Sequence, residues 1–221
     1  MFRKVGTFLT SGAILLTAGC LQKETTHTVY LAPDGSASWY VSEVNVHSDA
    51  NEIAKRATEE QQYIGPALLG THGAARGLAA LQPIGPVRTT VLRDERPFHA
   101  VTQARFAAVD RTIERAFTEM GIRTSASLVH DGGRTTLRAH LDFSHPQNDR
   151  KTDVSELLDD IERIRFVLTE GRFGAVSGFD VSDENVASLS PDWLERAAGA
   201  HEAKTWLVFL CRGVASSGSA L

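Results

Sequence analysis

Hydrophobic and polar positions along this chain fall mostly into short alternating runs, with a few stretches of helical period. The clearest alternation is Thr135 to Phe143, where Leu137, Ala139, Leu141 and Phe143 take turns with Thr136, Arg138, His140 and Asp142. A period of two sends one set inward and the other to water, which predicts a half-buried antiparallel strand. Thr124 to Val129 and the turn Asp131-Gly132-Gly133 complete a hairpin with it. Thr28 to Leu31 and Ala37 to Val46 predict a second hairpin around Pro33-Asp34-Gly35-Ser36. Proline presets one φ there and glycine takes the strained position. Val87 to Leu92 and Phe98 to Phe106 predict a third strand pair, joined through Arg93-Asp94-Glu95-Arg96 and Pro97.

The period lengthens elsewhere. Val109, Ile113, Ala116, Phe117 and Met120 recur at helical spacing, and Gly121 is a natural stop. Ser48-Asp49 reads as a helix start, with Glu52 completing a capping box, and Gly65-Pro66 as its break or kink. Ala67 to Gln82 is rich in Gly and Ala, which fits a short packed helix or a segment lying over a groove. Asp153 caps a helix to about Glu162, with Val154, Leu157, Leu158 and Ile161 on one face. Residues 163–170 suit helix or strand; Arg163 to Leu168 and Phe173 to Phe179 are assigned as strands of a hairpin. Pro191-Asp192 opens a short helix through Ala198, and Thr205 to Cys211 is a final buried strand. Hairpin-paired strands interleaved with several helices predict an α+β fold with a mainly antiparallel sheet. No nucleotide-binding glycine fingerprint follows any strand.

The N-terminus is a different kind of segment. Arg3 and Lys4 precede Val5 to Leu16, an apolar run broken by Gly6, Thr7, Thr10, Ser11 and Gly12. It is too short to cross a hydrocarbon core, which takes ~20 helical residues, and it has the make-up of an export signal. An ordinary cleaved signal gives its last residues, Thr17-Ala18-Gly19-Cys20, no special meaning. These four residues resemble the lipobox of bacterial lipoproteins, with Thr17 in place of the usual Leu and Leu16 one step further out. The resemblance covers residues 1–20 and implies an address, not an activity: cleavage before Cys20 and a lipid on its sulfur. Leu21 is not the Asp that retains many such proteins in an inner membrane. In a Gram-negative cell the resemblance therefore implies the periplasmic face of the outer membrane. The expected organisation is a signal peptide over 1–19, a lipidated tether over 20–27, one α+β domain over 28–212 and a disordered tail over 213–221.

Losing residues 1–19 leaves 21 of the 23 basic side chains against 27 acidic ones, a formal charge of −6. Such a surface repels phosphate backbones and disfavours a nucleic-acid partner. With Cys20 lipidated, Cys211 has no partner within the chain, and its setting, Trp206-Leu207-Val208-Phe209-Leu210, suits a small buried hydrophobe.

Motifs for chemistry are sparse. His140, Asp142 and His145 have residue types that suit a zinc ion, with His140 and Asp142 on one strand face and His145 at the turn before Pro146. The plainer account is an exposed strand face carrying polar residues. Gly174-Ala175-Val176-Ser177-Gly178 has its serine one place late for a nucleophile elbow. Asp159, Asp160 and Glu162 fall on a helix's wet side, and His99 on a strand's wet face beside Gln103 and Arg105. Arg88, Arg93, Arg96 and Arg105 suit either an anion or a network with Asp94 and Glu95. No cofactor is called for. Two functions are expected from this: a non-catalytic envelope lipoprotein that binds a protein partner or small ligand, or a lipid-anchored, metal-assisted hydrolase using His140, Asp142 and His145.

Overall fold

A computed structural model describes residues 21–119, 121–131, 134–142, 164–190, 192–193 and 196, and the backbone of 204–211. The fold is α+β. The hairpin predicted around Pro33-Asp34-Gly35-Ser36 is β1 (Leu21–Leu31) and β2 (Ala37–Ser48). Next come α1 (Ile53–Leu68) and α2 (Gly73–Ala80), then the hairpin β3 (Arg88–Arg93) and β4 (Phe98–Phe106) and helix α3 (Val109–Glu119). Strands β5 (Arg123–Asp131) and β6 (Arg134–Asp142) form the hairpin predicted from the alternation of Thr135 to Phe143. Beyond the intervening undescribed stretch lie β7 (Ile164–Leu168), β8 (Arg172–Ser177), β9 (Phe179–Asp183), β10 (Val186–Leu189) and β11 (Lys204–Cys211). Among the described residues no helix is long and apolar enough to cross a membrane.

The strands build two sheets. Seven stand in the order β3-β4-β2-β1-β7-β10-β9, and four in the order β5-β6-β11-β8. Among the described residues every pairing is antiparallel except that of β1 with β7. The main core lies between them: Val29, Leu31, Trp39, Phe106 and Phe166 from the large sheet meet Leu137, Ala139 and Leu141 of the small one, with Ile113 and Phe117 of α3. Gly35, at φ +85° in the β1–β2 turn, sits so close to Leu128 of β5 that an added Cβ would fall 2.5 Å from its Cδ2. A second cluster joins Tyr63, Ile64 and Ala67 of α1 to Val46 and Phe98.

Several expectations are corrected by this arrangement. Leu21 to His27, expected as part of a tether, belong to β1 and pair with β2. Ser48 ends β2 rather than opening a helix, because Glu60 accepts from its backbone N–H and Glu59 accepts from its hydroxyl. Helix α1 starts later, after Glu52, which makes no side-chain cap. It also runs through Pro66 to Leu68; the lost N–H falls only two residues from the end, and fully buried Ala67 holds the last turn. Strands β7 and β8 both form, but they enter different sheets and make no hairpin. The hairpin of β9 and β10, which no pattern flagged, pairs with β7 instead.

Candidate functional site

The inner face of the large sheet changes character along its strands. On β2 the inward row begins Ala37, Trp39, Val41 and continues with Glu43, all buried. Opposite them stand Leu31, Val29, His27 and Thr25 on β1, and Phe106, Ala104, Thr102 and Ala100 on β4. One end of the face is therefore apolar and packs into the core. The other is polar and lies beneath α1 and α2.

Glu43 is the centre of the polar end, with 1% of its surface exposed. An isolated carboxylate at such a depth is costly and needs partners. Three are supplied from three elements. Lys23 of β1 reaches Oε1 at 2.5 Å, Tyr63 of α1 donates its hydroxyl to Oε2 at 3.1 Å, and His72, just before α2, places Nε2 3.1 Å from the same oxygen. Thr102 Oγ1 lies 3.2 Å from His72 Nε2 and 3.2 Å from Thr89 Oγ1, which extends the network to β4 and β3. Burial by itself would raise the Glu43 carboxyl, but hydrogen bonds from His72 and Lys23, with their charge, bring it down to about 2. Burial, reinforced by the charge of Glu43 and the hydrogen bond to it, pushes the Tyr63 hydroxyl above its usual value. Nδ1 of His72 is buried with no hydrogen-bond partner among the described residues.

Two cavities flank this network. The first, about 420 Å³, lies between β1 and β2 on one side and α2 and α3 on the other. Trp39, Val41, Leu78, Leu81 and Ala116 give it an apolar wall, and Thr25, His27 and Glu43 add polar atoms at one end. Trp39 donates its indole N–H to His27 Nδ1 at 3.1 Å, so the polar end is held by the same strands that form the wall. Half-exposed Lys23 and exposed Glu119 lie at its rim. Helix α2 turns Gly73, Ala74 and Gly77 toward this space, and a Cβ added at Gly73 or Gly77 would meet nothing within 4 Å. The small residues of 67–82 thus form the expected short packed helix, with Ala75 and Leu78 buried, and its Gly73, Ala74 and Gly77 also border the groove. The second cavity, about 660 Å³, is lined by Leu21, Tyr63, Pro66, Thr71, His72 and Arg76 among others, and lies beside the first residues of β1.

The arrangement is suited to holding a molecule rather than to proton transfer. A carboxylate already accepting three hydrogen bonds, with its proton affinity this low, is a weak base near neutral pH. The first cavity has the size and the mixed lining of a small-molecule site.

The residues singled out from sequence are placed as follows. His140 is exposed on β6, opposite Ser125 and Thr205, and Asp142 is half-buried with Arg123 at 3.8 Å. His145, Cys20 and the predicted helix over 153–162 lie outside the described residues, as does the tail. Among the described residues no group of three or more His, Cys, Asp or Glu side chains has a metal-holding arrangement. The arginines are divided between different partners. Arg96 pairs with Glu60 at 2.9 Å and bonds the Ser48 carbonyl, whereas Arg88 and Arg105 border a separate pocket of about 300 Å³. His99 approaches Ser42 at 3.3 Å. Sequence reasoning passed over Glu43, Tyr63 and His72. The signal for Glu43 is its phase: it falls on the inward period of Ala37, Trp39 and Val41.

No protein-family profile matches the chain, and no curated protein matches it in sequence. Among solved structures, the NMR structure of the folded domain of the Mycobacterium tuberculosis protein LppM is similar at 11% identity and a TM-score of 0.40, over 90% of this chain and 94% of that one. A likeness this distant carries no argument about function.

Proposed function

We propose that this chain is a non-catalytic, lipid-anchored protein of the cell envelope, and that it binds a small amphiphilic ligand in the cavity between β1–β2 and α2–α3. The anchor is the lipid on Cys20, read from Thr17-Ala18-Gly19-Cys20, and in a Gram-negative cell it holds the domain at the periplasmic face of the outer membrane. The observation that carries the binding reading is the cavity itself: about 420 Å³, walled by Trp39, Val41, Leu78, Leu81 and Ala116, with polar groups gathered at one end. An apolar body fits the wall, and a polar end fits the side of Thr25, His27 and Lys23. Glycines at 73 and 77 keep the space open where larger residues would fill it.

The test is titration of the purified protein with N-phenylnaphthylamine, an apolar dye whose emission rises when it leaves water. Saturable enhancement is expected for the wild type, with its loss in Gly77→Phe, whose ring occupies the cavity while circular dichroism stays unchanged. Enhancement of equal strength in both proteins, or none in the wild type, contradicts the reading.

A further inference from the structure

The large sheet has a second face, turned away from the core, and its chemistry differs from that of the first. The residues that alternate with Ala37, Trp39 and Val41 on β2 are Ser38, Tyr40 and Ser42, and those that alternate with Phe106 and Ala104 on β4 are Arg105 and Gln103. Strand register sets them side by side. Arg88 of β3 stands opposite Gln103, which stands opposite Tyr40, while Arg105 stands opposite Ser38 in the next row of the same face. Arg88 and Arg105 are therefore diagonal neighbours, whose Cβ atoms lie about 7–8 Å apart, and two such long side chains reach a common point.

The chain before β3 turns this patch into a pocket. Pro86 has no N–H to give the ladder, and β3 begins only at Arg88. The Ile84 N–H instead donates to the Arg105 carbonyl at 2.8 Å, which fixes 84–86 as a wall beside β4. The resulting space of about 300 Å³ takes Ile84 and Pro86 from the wall, and Ser38, Tyr40, Gln103 and both arginines from the sheet. That volume is enough for a small ligand. The Tyr40 ring is held edge-on against Tyr30, with centroids 5.4 Å apart.

Charge selects among possible occupants. The chain is acidic as a whole, yet no carboxylate lines this pocket. Among the described residues neither Arg88 nor Arg105 has an ion pair. Asp94 and Glu95, the acids that sequence offered as their partners, lie past the far end of β3, with the strand's 6 residues, about 20 Å, between them and the pocket.

We propose that this outer-face pocket binds a hydroxylated ring of sugar size that carries one carboxylate or phosphate. The two guanidinium groups hold the oxyanion, which matches their forks of N–H donors. Gln103 and Ser38 bond ring hydroxyls, and Tyr40 and Pro86 pack against the ring. Neither the lipid on Cys20 nor the cavity between β1–β2 and α2–α3 enters this assignment, so it stands or falls independently of both.

Full-length protein in mild detergent is titrated by calorimetry with glucuronate, glucose 1-phosphate and glucose. Saturable binding of at least one of the two anions is expected, and the tighter of them identifies the bound group as carboxylate or phosphate. Glucose is expected to bind at least about tenfold more weakly, the size of one lost charge-assisted hydrogen bond. Arg88→Gln and Arg105→Gln change exposed side chains, and each is expected to weaken anion binding by a similar factor with circular dichroism unchanged. Arg172→Gln removes the same charge from β8 in the other sheet and is expected to leave binding unchanged. Glucose binding as tightly as the anions, no saturable binding of either anion, or an equal loss in Arg172→Gln overturns the proposal. So does full binding by the Arg88→Gln, Arg105→Gln double variant.

Discussion

Glu43 shows how one misplaced polarity organises a region. A strand residue in an inward position would ordinarily be apolar; here a carboxylate recruits Lys23, Tyr63 and His72, and so ties β1, α1 and the approach to α2 to β2. Removing it leaves Tyr63 and His72 buried around an empty acceptor and Lys23 without its carboxylate, so Glu43→Ala is expected to cost ~3–5 kcal/mol in chemical denaturation. The pH dependence has a definite sign. Its carboxyl lies near 2 in the fold against an ordinary 4.5. The stabilisation is therefore complete above 4.5 and is lost as pH falls through about 2. Urea unfolding between those limits should show a slope in the wild type that Glu43→Gln flattens. The alternation of Ala37, Trp39, Val41 and Glu43 made this residue's inward position readable. Its partners were not, since Lys23, Tyr63 and His72 come from separate elements and meet only through the tertiary fold.

Elements whose boundaries are set locally were the most legible. The β5–β6 hairpin follows from period-two alternation, and α3 follows from its apolar stripe and from Gly121 at φ +84°. Long-range pairing was not legible. The β1–β7 partnership joins residues more than 130 positions apart, in parallel, and no local signal encodes it. Polar β1 was misread for a related reason: its first residues look like tether because the face they complete is itself polar. In α2 the composition permitted either tight packing or a groove, and the helix does both, with Ala75 and Leu78 buried and Gly73 and Gly77 bordering the cavity. Because Gly77 has free space where a Cβ would go and sits inside a helix, Gly77→Ala should stabilise the protein by ~1 kcal/mol through helix propensity, measured as a shift in the urea midpoint. Gly35 is the contrasting case, where φ +85° and Leu128 leave no such freedom.

At the scale of the whole molecule, two sheets and three described helices leave a cavity on one side of a buried ionic network, and Cys20, the proposed lipidation site, directly precedes the first strand in sequence. In the proposed function the lipid sets where the domain sits, and the cavity sets what it holds. Cys20→Ala should abolish incorporation of labelled palmitate in cells while leaving the circular dichroism of the domain intact, because Cys20 precedes every described element. Ligand binding in the cavity is tested by native mass spectrometry of full-length protein extracted from membranes in mild detergent, run beside Gly77→Phe. The expected spectrum shows a non-covalent small-molecule mass on the wild type, released by collisional activation and missing from the variant. Wild-type protein without such a mass, or the same mass retained by Gly77→Phe, contradicts it.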